Sequence, residues 1–182
     1  MGRAAPAGPD GRLMTLISLT MTIQISPRGT RGVELPPIAR AIFGVVSPVF
    51  IALFPLLRNL IRFQGRSALL LLTTVGAKTG KKRQTVLFWF PDVPESPDSW
   101  MVIGSGGGSS RHPSWFINLA RNPDQVWIDA GGRHTRVIPS ALEGEERDEA
   151  MRRMVAAYPG YGQYNSNTDR VIPIVRLRAV AD

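Results

Sequence analysis

The sequence predicts an α+β fold that is mainly β, a small barrel with helices on its flank, preceded by an apolar helix. Three observations predict it. After Ser67, six short runs rich in β-branched and aromatic residues are punctuated by turn residues. Two helical segments interrupt those runs, which suits a barrel with flanking helices. An uncharged stretch, "AIFGVVSPVFIALFPLL" from Ala41 to Leu57, precedes them all. The chain has 182 residues and is 43% hydrophobic, enough for one domain with a sizeable core plus extras.

Residues 1–36 are rich in Gly, Pro, Ser, Thr and Arg and predict a poorly ordered extension. Met14 to Ile25 is apolar but lacks a small-residue cleavage site, which argues against a signal peptide. Residues 37–66 then predict an apolar helix flanked by Arg40, Arg58 and Arg62. Its uncharged core would span about 26 Å, short of the roughly 30 Å of a bilayer interior. Pro48 and Pro55 would kink it. Three readings stay open: packing on its own domain or a partner subunit, lying on a membrane surface, or spanning.

Strands are predicted near Ala68 to Val75, Gln84 to Pro91, Trp100 to Ser105, Gln125 to Ala130, Arg133 to Ser140 and Val171 to Val180. Gly131-Gly132 is a two-residue hairpin turn. One helix should run from about Pro113 to Arg121, with Asn122-Pro123 as its stop. The other should run from about Gly144 to Ala157, with acids early and Arg152 and Arg153 late, as the helix dipole prefers.

Composition removes several chemistries. With no cysteine, thiol nucleophiles, disulfides, Fe–S clusters and Cys-based zinc sites are excluded. Two histidines, His112 and His134, are too few for a typical His-rich metal centre, so no metal ligand is expected. No nucleophile elbow exists, because Ile103 stands two residues before Ser105 where glycine is required. The net charge of +8 is concentrated at the N-terminus: residues 1–66 hold eight arginines against Asp10 and Glu34. A nucleic-acid binder usually carries its charge on the folded domain. The distribution here points to an anionic surface and away from nucleic acid.

Three segments could carry chemistry. In "TTVGAKTGKKRQT", Lys78, Lys81, Lys82 and Arg83 crowd beside Gly76 and Gly80. Three residues separate the glycines where a P-loop needs four, and Lys82 follows Lys81 where Ser or Thr is required. The segment is a hairpin tip with a basic rim. In "GSGGGSSRHPSWFINL", Gly106, Gly107 and Gly108 precede the first barrel-flanking helix, either as a plain flexible loop or as a backbone that approaches a flat ligand or phosphate. In "AAYPGYGQYNSNTDR", Tyr158, Tyr161 and Tyr164 recur every three residues, as a cover on the barrel end or as a lid over a planar substrate. Asp169-Arg170 reads as a salt bridge at a strand entrance.

Taken in order, "LLLTTVGAKTGKKRQTVL", "VIGSGGGSSRHPSWFINLARNP" and "AAYPGYGQYNSNTDRVIPIVRL" resemble the deazaflavin-dependent nitroreductase family. These are split β-barrel proteins, related to FMN-binding flavin reductases, that use coenzyme F-420. The resemblance covers Ser67 to Val180 and implies a deazaflavin-binding domain at 67–182. It implies that Lys78 and Arg83 hold the cofactor's phosphate and acidic tail, and that Thr85 and Val86 line the tricyclic ring. Ser105, Gly106, Gly107 and Gly108 match the loop beside the ring. Pro113, Ser114, Trp115 and Asn118 match the helix that closes over it, and Tyr158, Tyr161 and Tyr164 match the substrate wall. Ser105 or one of those tyrosines would donate to the acceptor oxygen. Gly106, Phe88, Val86 and Ser114 stand where a family member has lysine, tyrosine, proline and methionine, which makes acceptor choice the property most open to change.

The implied activity is hydride transfer from reduced F-420, with FMN a weaker candidate cofactor, to a quinone-like or nitroaromatic acceptor. The alternative is a carrier or sensor that binds deazaflavin, flavin or haem without turnover. Some family members carry a membrane-associating N-terminal segment, and the resemblance, loose over this part of the chain, implies a cytoplasmic protein at the inner face of the cell membrane. A homodimer is compatible with this reading.

Overall fold

The computed structural model describes residues 23–34, 36–63, 66–67, 69–92 and 96–180. The expectations for residues 1–22 lie outside them. Helix α1 spans Pro37–Leu60. A two-residue strand pair follows, β1 (Arg62–Phe63) with β2 (Arg66–Ser67). Then come β3 (Leu69–Val75), β4 (Lys82–Pro91) and β5 (Ser99–Ile103). Helix α2 (Ser114–Arg121) precedes β6 (Val126–Ala130) and β7 (Arg133–Ala141), and α3 (Gly144–Ala157) and α4 (Gly160–Asn167) precede β8 (Ile174–Ala179).

The six longer strands close a barrel in the order β3-β4-β5-β8-β7-β6, all antiparallel. Register splits this barrel into two sheets. β4 pairs with β3 from Lys82 to Phe88 but with β5 only from Trp89 to Pro91. β7 likewise pairs with β6 up to Arg136 and with β8 from Val137 onwards. The two sheets therefore share β4 and β7. Pro139 falls where β7 has a single neighbour, the setting in which a strand tolerates a missing N–H. For the site, the consequence is that, among the described residues, the β4 edge from Lys82 to Phe88 has no strand partner on the β5 side.

Inside the barrel, Leu70, Leu72, Val102, Val126, Ile128, Val137, Val175 and Leu177 form the core, closed by Trp100, Trp115, Phe116 and Leu119. The alternate face of β3, Leu69 and Leu71, packs with Val86 against Phe54, Ile51 and Leu57 of α1. Both faces of β3 are thus covered, which is why its sequence is a continuous apolar run instead of an alternating one. Met151 and Met154 of α3 pack with Phe90, Met101, Ile103 and Ile174 on another flank. The Gly131-Gly132 turn has φ of +59° and +88°, the two positive values a tight hairpin of this length needs.

One expectation changes, and one of the open readings of α1 is met. The sequence predicts two helices within the barrel region, and the structure adds α4. Its residues "GYGQYNSN" have no apolar period, and the helix forms because Tyr161 packs edge-to-face on Phe90, 5.6 Å between centroids. Tertiary contact overrides weak propensity here. For α1, packing on its own domain is what the structure shows, while among the described residues no helix is long and apolar enough to cross a membrane. Its outer face nevertheless leaves Val49, Phe50, Leu53, Leu56 and Leu60 exposed.

Within the stretch expected to be poorly ordered, residues 23–34 lie as an arm along the barrel. Ile23 is buried in the barrel core. Farther along, Gly29 N donates to Ser110 O at 3.0 Å and Val33 N to Gly108 O at 2.9 Å. The Asp169 carboxylate accepts from the Thr30 hydroxyl and from the backbone N–H groups of Thr30 and Arg31. Those bonds, led by the Thr30 hydroxyl, hold its pKa down at about 2. Backbone-to-backbone bonding of this kind is not signalled by side-chain composition.

Candidate functional site

β3 and β4 project the basic hairpin from one end of the barrel, and the glycine-rich loop after β5 emerges at the same end. The hairpin tip is tightly turned: Gly76 N bonds to Lys81 O at 2.9 Å and Gly80 N to Gly76 O at 2.8 Å, with Gly80 at φ +64°. Two asparagines of α2 and its cap anchor it. Buried Asn118 accepts from Ala77 N at 3.0 Å and donates to Thr74 Oγ1 at 3.4 Å, and Asn122 donates to Val75 O at 3.0 Å. Asn118 therefore supports the basic loop. Lys78, Lys81 and Arg83 are exposed, and among the described residues none of them forms an ion pair. Lys82 turns the other way, its Nζ 4.9 Å from the Trp127 ring centroid.

Along the free edge of β4 two clefts meet at Phe88. The first, ≈ 280 Å³, is lined by Ser47 and Phe50 of α1, Ile61, Leu69, Thr85, Val86 and Phe88. The second, ≈ 310 Å³, is lined by Phe88, Tyr158, Pro159, Gly160, Tyr161 and Tyr164. Thr85 and Val86, being neighbours in a strand, point to opposite faces, and both border the first cleft. The walls are mainly apolar, as a planar ligand requires.

The tyrosines form a ladder. Tyr158 stands edge-on to Phe90 and 6.3 Å from Phe88, Tyr161 is edge-on to Tyr158 at 6.4 Å, and Tyr164 edge-on to Tyr161 at 5.6 Å. They cover the flank core, as one reading of this segment expects, and they also line the second cleft. Burial, with Tyr164 and Tyr158 adding to it, raises the Tyr161 phenol to about 12. At neutral pH that hydroxyl is a proton-bearing donor.

The glycine loop is a single 3-10 turn, Gly106–Gly108, with positive φ at all three residues. Gly106 and Gly107 are exposed and Ser105 is half-buried. A Cβ on Gly108 would come within 2.8 Å of Asn167 Cβ and 3.3 Å of Tyr164 O, so only glycine lets the turn seat against α4. The structure thus brings the loop and the tyrosine helix together.

Other predicted residues sit differently. Pro113 is the N-cap of α2 and Ser114 is exposed beside it, but Trp115 is turned into the barrel core. Asp169 and Arg170 do not pair with each other: Asp169 binds the arm, while Arg170 bonds to loop carbonyls and to His112. Sequence reasoning left Phe88 out of the candidate residues, and Ser47 and Phe50 too. Only α1 packing reveals the latter pair. Among the described residues no group of His, Asp and Glu could hold a metal ion. A concavity of ≈ 710 Å³ at the opposite barrel end includes Arg133 and Arg136, but Arg133 is paired with Asp98 and Arg136 donates to Asp124 O.

Comparison with known proteins adds the following. The family profile described as F420H(2)-dependent quinone reductase matches residues 59–178. An F420H(2)-dependent quinone reductase of Mycobacterium tuberculosis (strain ATCC 25618 / H37Rv) is 34% identical over 119 residues, 64% of this chain and 76% of the relative. The solved structure of an F420-H2 dependent reductase superposes with a TM-score of 0.53 at 37% identity, covering 61% of this chain and 94% of that one. A chain described as a domain-swapped dimer has the same TM-score of 0.53 at 33% identity, covering 72% of this chain and 100% of that one. The expected split β-barrel of flavin-reductase type stands.

Proposed function

Because the chain belongs to the F420H(2)-dependent quinone reductase family, we propose that it transfers hydride from reduced coenzyme F-420 to a quinone, with nitroaromatics as a second acceptor class. The observation that carries the reading is the β4 edge. It runs from Arg83, which forms no ion pair among the described residues, to an aromatic-walled cleft at Phe88. Five residue steps of strand separate them by roughly 17 Å. That length suits a ligand with an anionic tail at one end and a flat ring at the other.

The residues fit the cofactor. Lys78 and Arg83, with Lys81 adding field, would hold the phosphate and acidic tail, and the open β4 edge between Thr85 and Phe88 would flank the ring. When bound, F-420 supplies a hydride donor; the chain contributes orientation and charge stabilisation. Phe88 and the tyrosine ladder exclude water. Tyr161, protonated at neutral pH, and the Ser105 hydroxyl donate hydrogen bonds to negative charge developing on the acceptor oxygen. Neither cysteine nor metal is required. Titration with oxidised F-420 and with FMN, followed by a menadione reduction assay, tests the reading. We expect tighter F-420 than FMN binding, and turnover. Binding without turnover would make the protein a carrier or sensor, and no binding of either would overturn both.

The proposal extends to location. Residues 67–182 form the deazaflavin-binding domain, and α1 seats it on the inner face of the cytoplasmic membrane, where long-tailed quinones dissolve. Supporting this are the exposed Val49, Phe50, Leu53, Leu56 and Leu60 and the arginines at both ends of the helix. Each basic group near an anionic leaflet contributes about 1 kcal/mol. Deleting the whole N-terminal region would also remove buried Ile23, and Phe50 also lines the first cleft, so Leu53→Ser with Leu56→Ser and Leu60→Ser is the cleaner variant. It should lose sedimentation with anionic vesicles and activity on vesicle-borne quinone, while keeping activity on soluble menadione. Unchanged vesicle activity would assign this face to subunit packing, in line with the similarity to a domain-swapped dimer and with a homodimer.

A further inference from the structure

We propose that Arg170 is a positioning residue for this reaction: its guanidinium fixes the loop carrying Ser105 and the three glycines against the tyrosine helix, and so sets the geometry on the acceptor side. The proposal rests on the functional reading above. Arg170 is only 4% exposed. Its Nη2 donates to the carbonyls of Gly104 at 3.1 Å and Ser105 at 2.9 Å, and its Nε to Ser109 at 3.1 Å. Those carbonyls bracket the glycine turn on both sides. Three consecutive glycines at positive φ have little conformational preference of their own, so the turn does not hold its own shape. A planar fork of donors reaching three carbonyls supplies it, which a lysine cannot do.

Stability alone does not account for a charge at this place. Among the described residues no carboxylate pairs with Arg170, and the neighbouring Asp169 is engaged by Thr30 and Arg31. A desolvated cation bonded only to neutral acceptors is costly to bury. What it does hold is the loop that abuts α4: Gly108 lies against the Tyr164 carbonyl and Asn167, one end of the ladder that walls the acceptor cleft.

A second contact ties this charge to the arm. Arg170 Nη1 donates to His112 Nδ1 at 3.1 Å, and His112 Nε2 donates to Ser26 O at 2.9 Å. Both bonds require the neutral imidazole with its proton on Nε2. The imidazole is faced by Arg170 on one side, by Ser26 on the other and by the Phe116 ring at 5.1 Å. Beyond Ser26 the charged groups of the arm are Arg28, Arg31 and Glu34; Arg28 and Glu34 are bonded to Ser110, and Arg31 donates its backbone N–H to Asp169. Protonating His112 sets two cationic donors against each other and releases the loop. Burial already lowers its pKa, with Arg170 adding to it, which favours the neutral form over the cation.

The test uses the full chain with F-420 and menadione. Arg170→Met should lower kcat/KM for menadione by about tenfold or more while leaving KM for reduced F-420 within about twofold. Amide exchange over 105–110 should accelerate with the barrel strands unchanged. Arg170→Lys, which keeps the charge and one reachable carbonyl, should fall between, and it carries the test if Arg170→Met fails to fold. His112→Asn keeps an acceptor oxygen near the Nδ1 position without titrating, and should abolish the acid-side decline in kcat/KM. Menadione kinetics and 105–110 exchange both unchanged in the Arg170 variants would overturn the proposal, as would equal loss of F-420 affinity. If the wild type turns over no menadione, the functional reading fails, and the exchange measurement alone then decides whether Arg170 holds the loop.

Discussion

Replacing Lys78 and Arg83 together with Ala should weaken F-420 binding by on the order of 2–4 kcal/mol, or about 30- to 1000-fold in Kd. Each charge-assisted contact to a phosphate or carboxylate contributes about 1.5–3 kcal/mol. Both side chains are exposed on a hairpin whose shape comes from backbone bonds and from Asn118 and Asn122. Removing them therefore leaves the fold intact, and the melting temperature should stay put. FMN, whose anionic tail is shorter, should lose less. Wild-type F-420 affinity should also fall with added salt more steeply than that of the variant, because exposed charges are screened. A titration showing equal loss for both cofactors, with a lowered melting temperature, would assign the two residues to structure.

Replacing Asp92 with Ala should destabilise the barrel by about 3–5 kcal/mol, lowering the melting temperature by about 6–20 °C. Asp92 is buried, accepts from Ser99 Oγ at 2.7 Å, and takes both Nε and Nη2 of buried Arg176. Among the described residues, the truncation leaves that guanidinium inside the protein with only Glu146, whose side chain is 58% exposed, as a charged partner. Asp92 directly follows β4, Ser99 opens β5 and Arg176 lies on β8, so the cluster pins three neighbouring strands of the second sheet together. Combining Asp92→Ala with Arg176→Met should recover part of the loss, since removing both charges removes the unpaired one. A loss under about 1 kcal/mol for the single variant would mean that water reaches Arg176.

Much of this protein is legible in its sequence because local chemistry decides it. The six strands, the Gly131-Gly132 turn and the ends of α2 and α3 follow from β-branched runs, paired glycines, Pro113 and the acid-to-base order along α3. The basic hairpin is equally local, since four cations beside two glycines remain a charged tip wherever the strands lead. Motif order was enough to point to a deazaflavin enzyme.

What depends on groups far apart in the chain was decided only by the tertiary structure. Register made β4 change partners at Trp89, and that change opens the edge along which the clefts lie. The fourth helix exists because Tyr161 meets Phe90, a contact across more than half of the barrel region that no local period announces. Trp115 turned into the core, and Phe88 became the wall shared by two clefts, because a strand or helix shows one face to the interior and the neighbour chosen by the fold fixes which. Arg170 looked like one half of a salt bridge with Asp169. At the bend of residues 169–170 the carboxylate met the N-terminal arm while the guanidinium met the carbonyls of the glycine loop. Sequence adjacency fixes covalent distance, whereas partner choice belongs to the packing that buries one side chain and leaves the next in water.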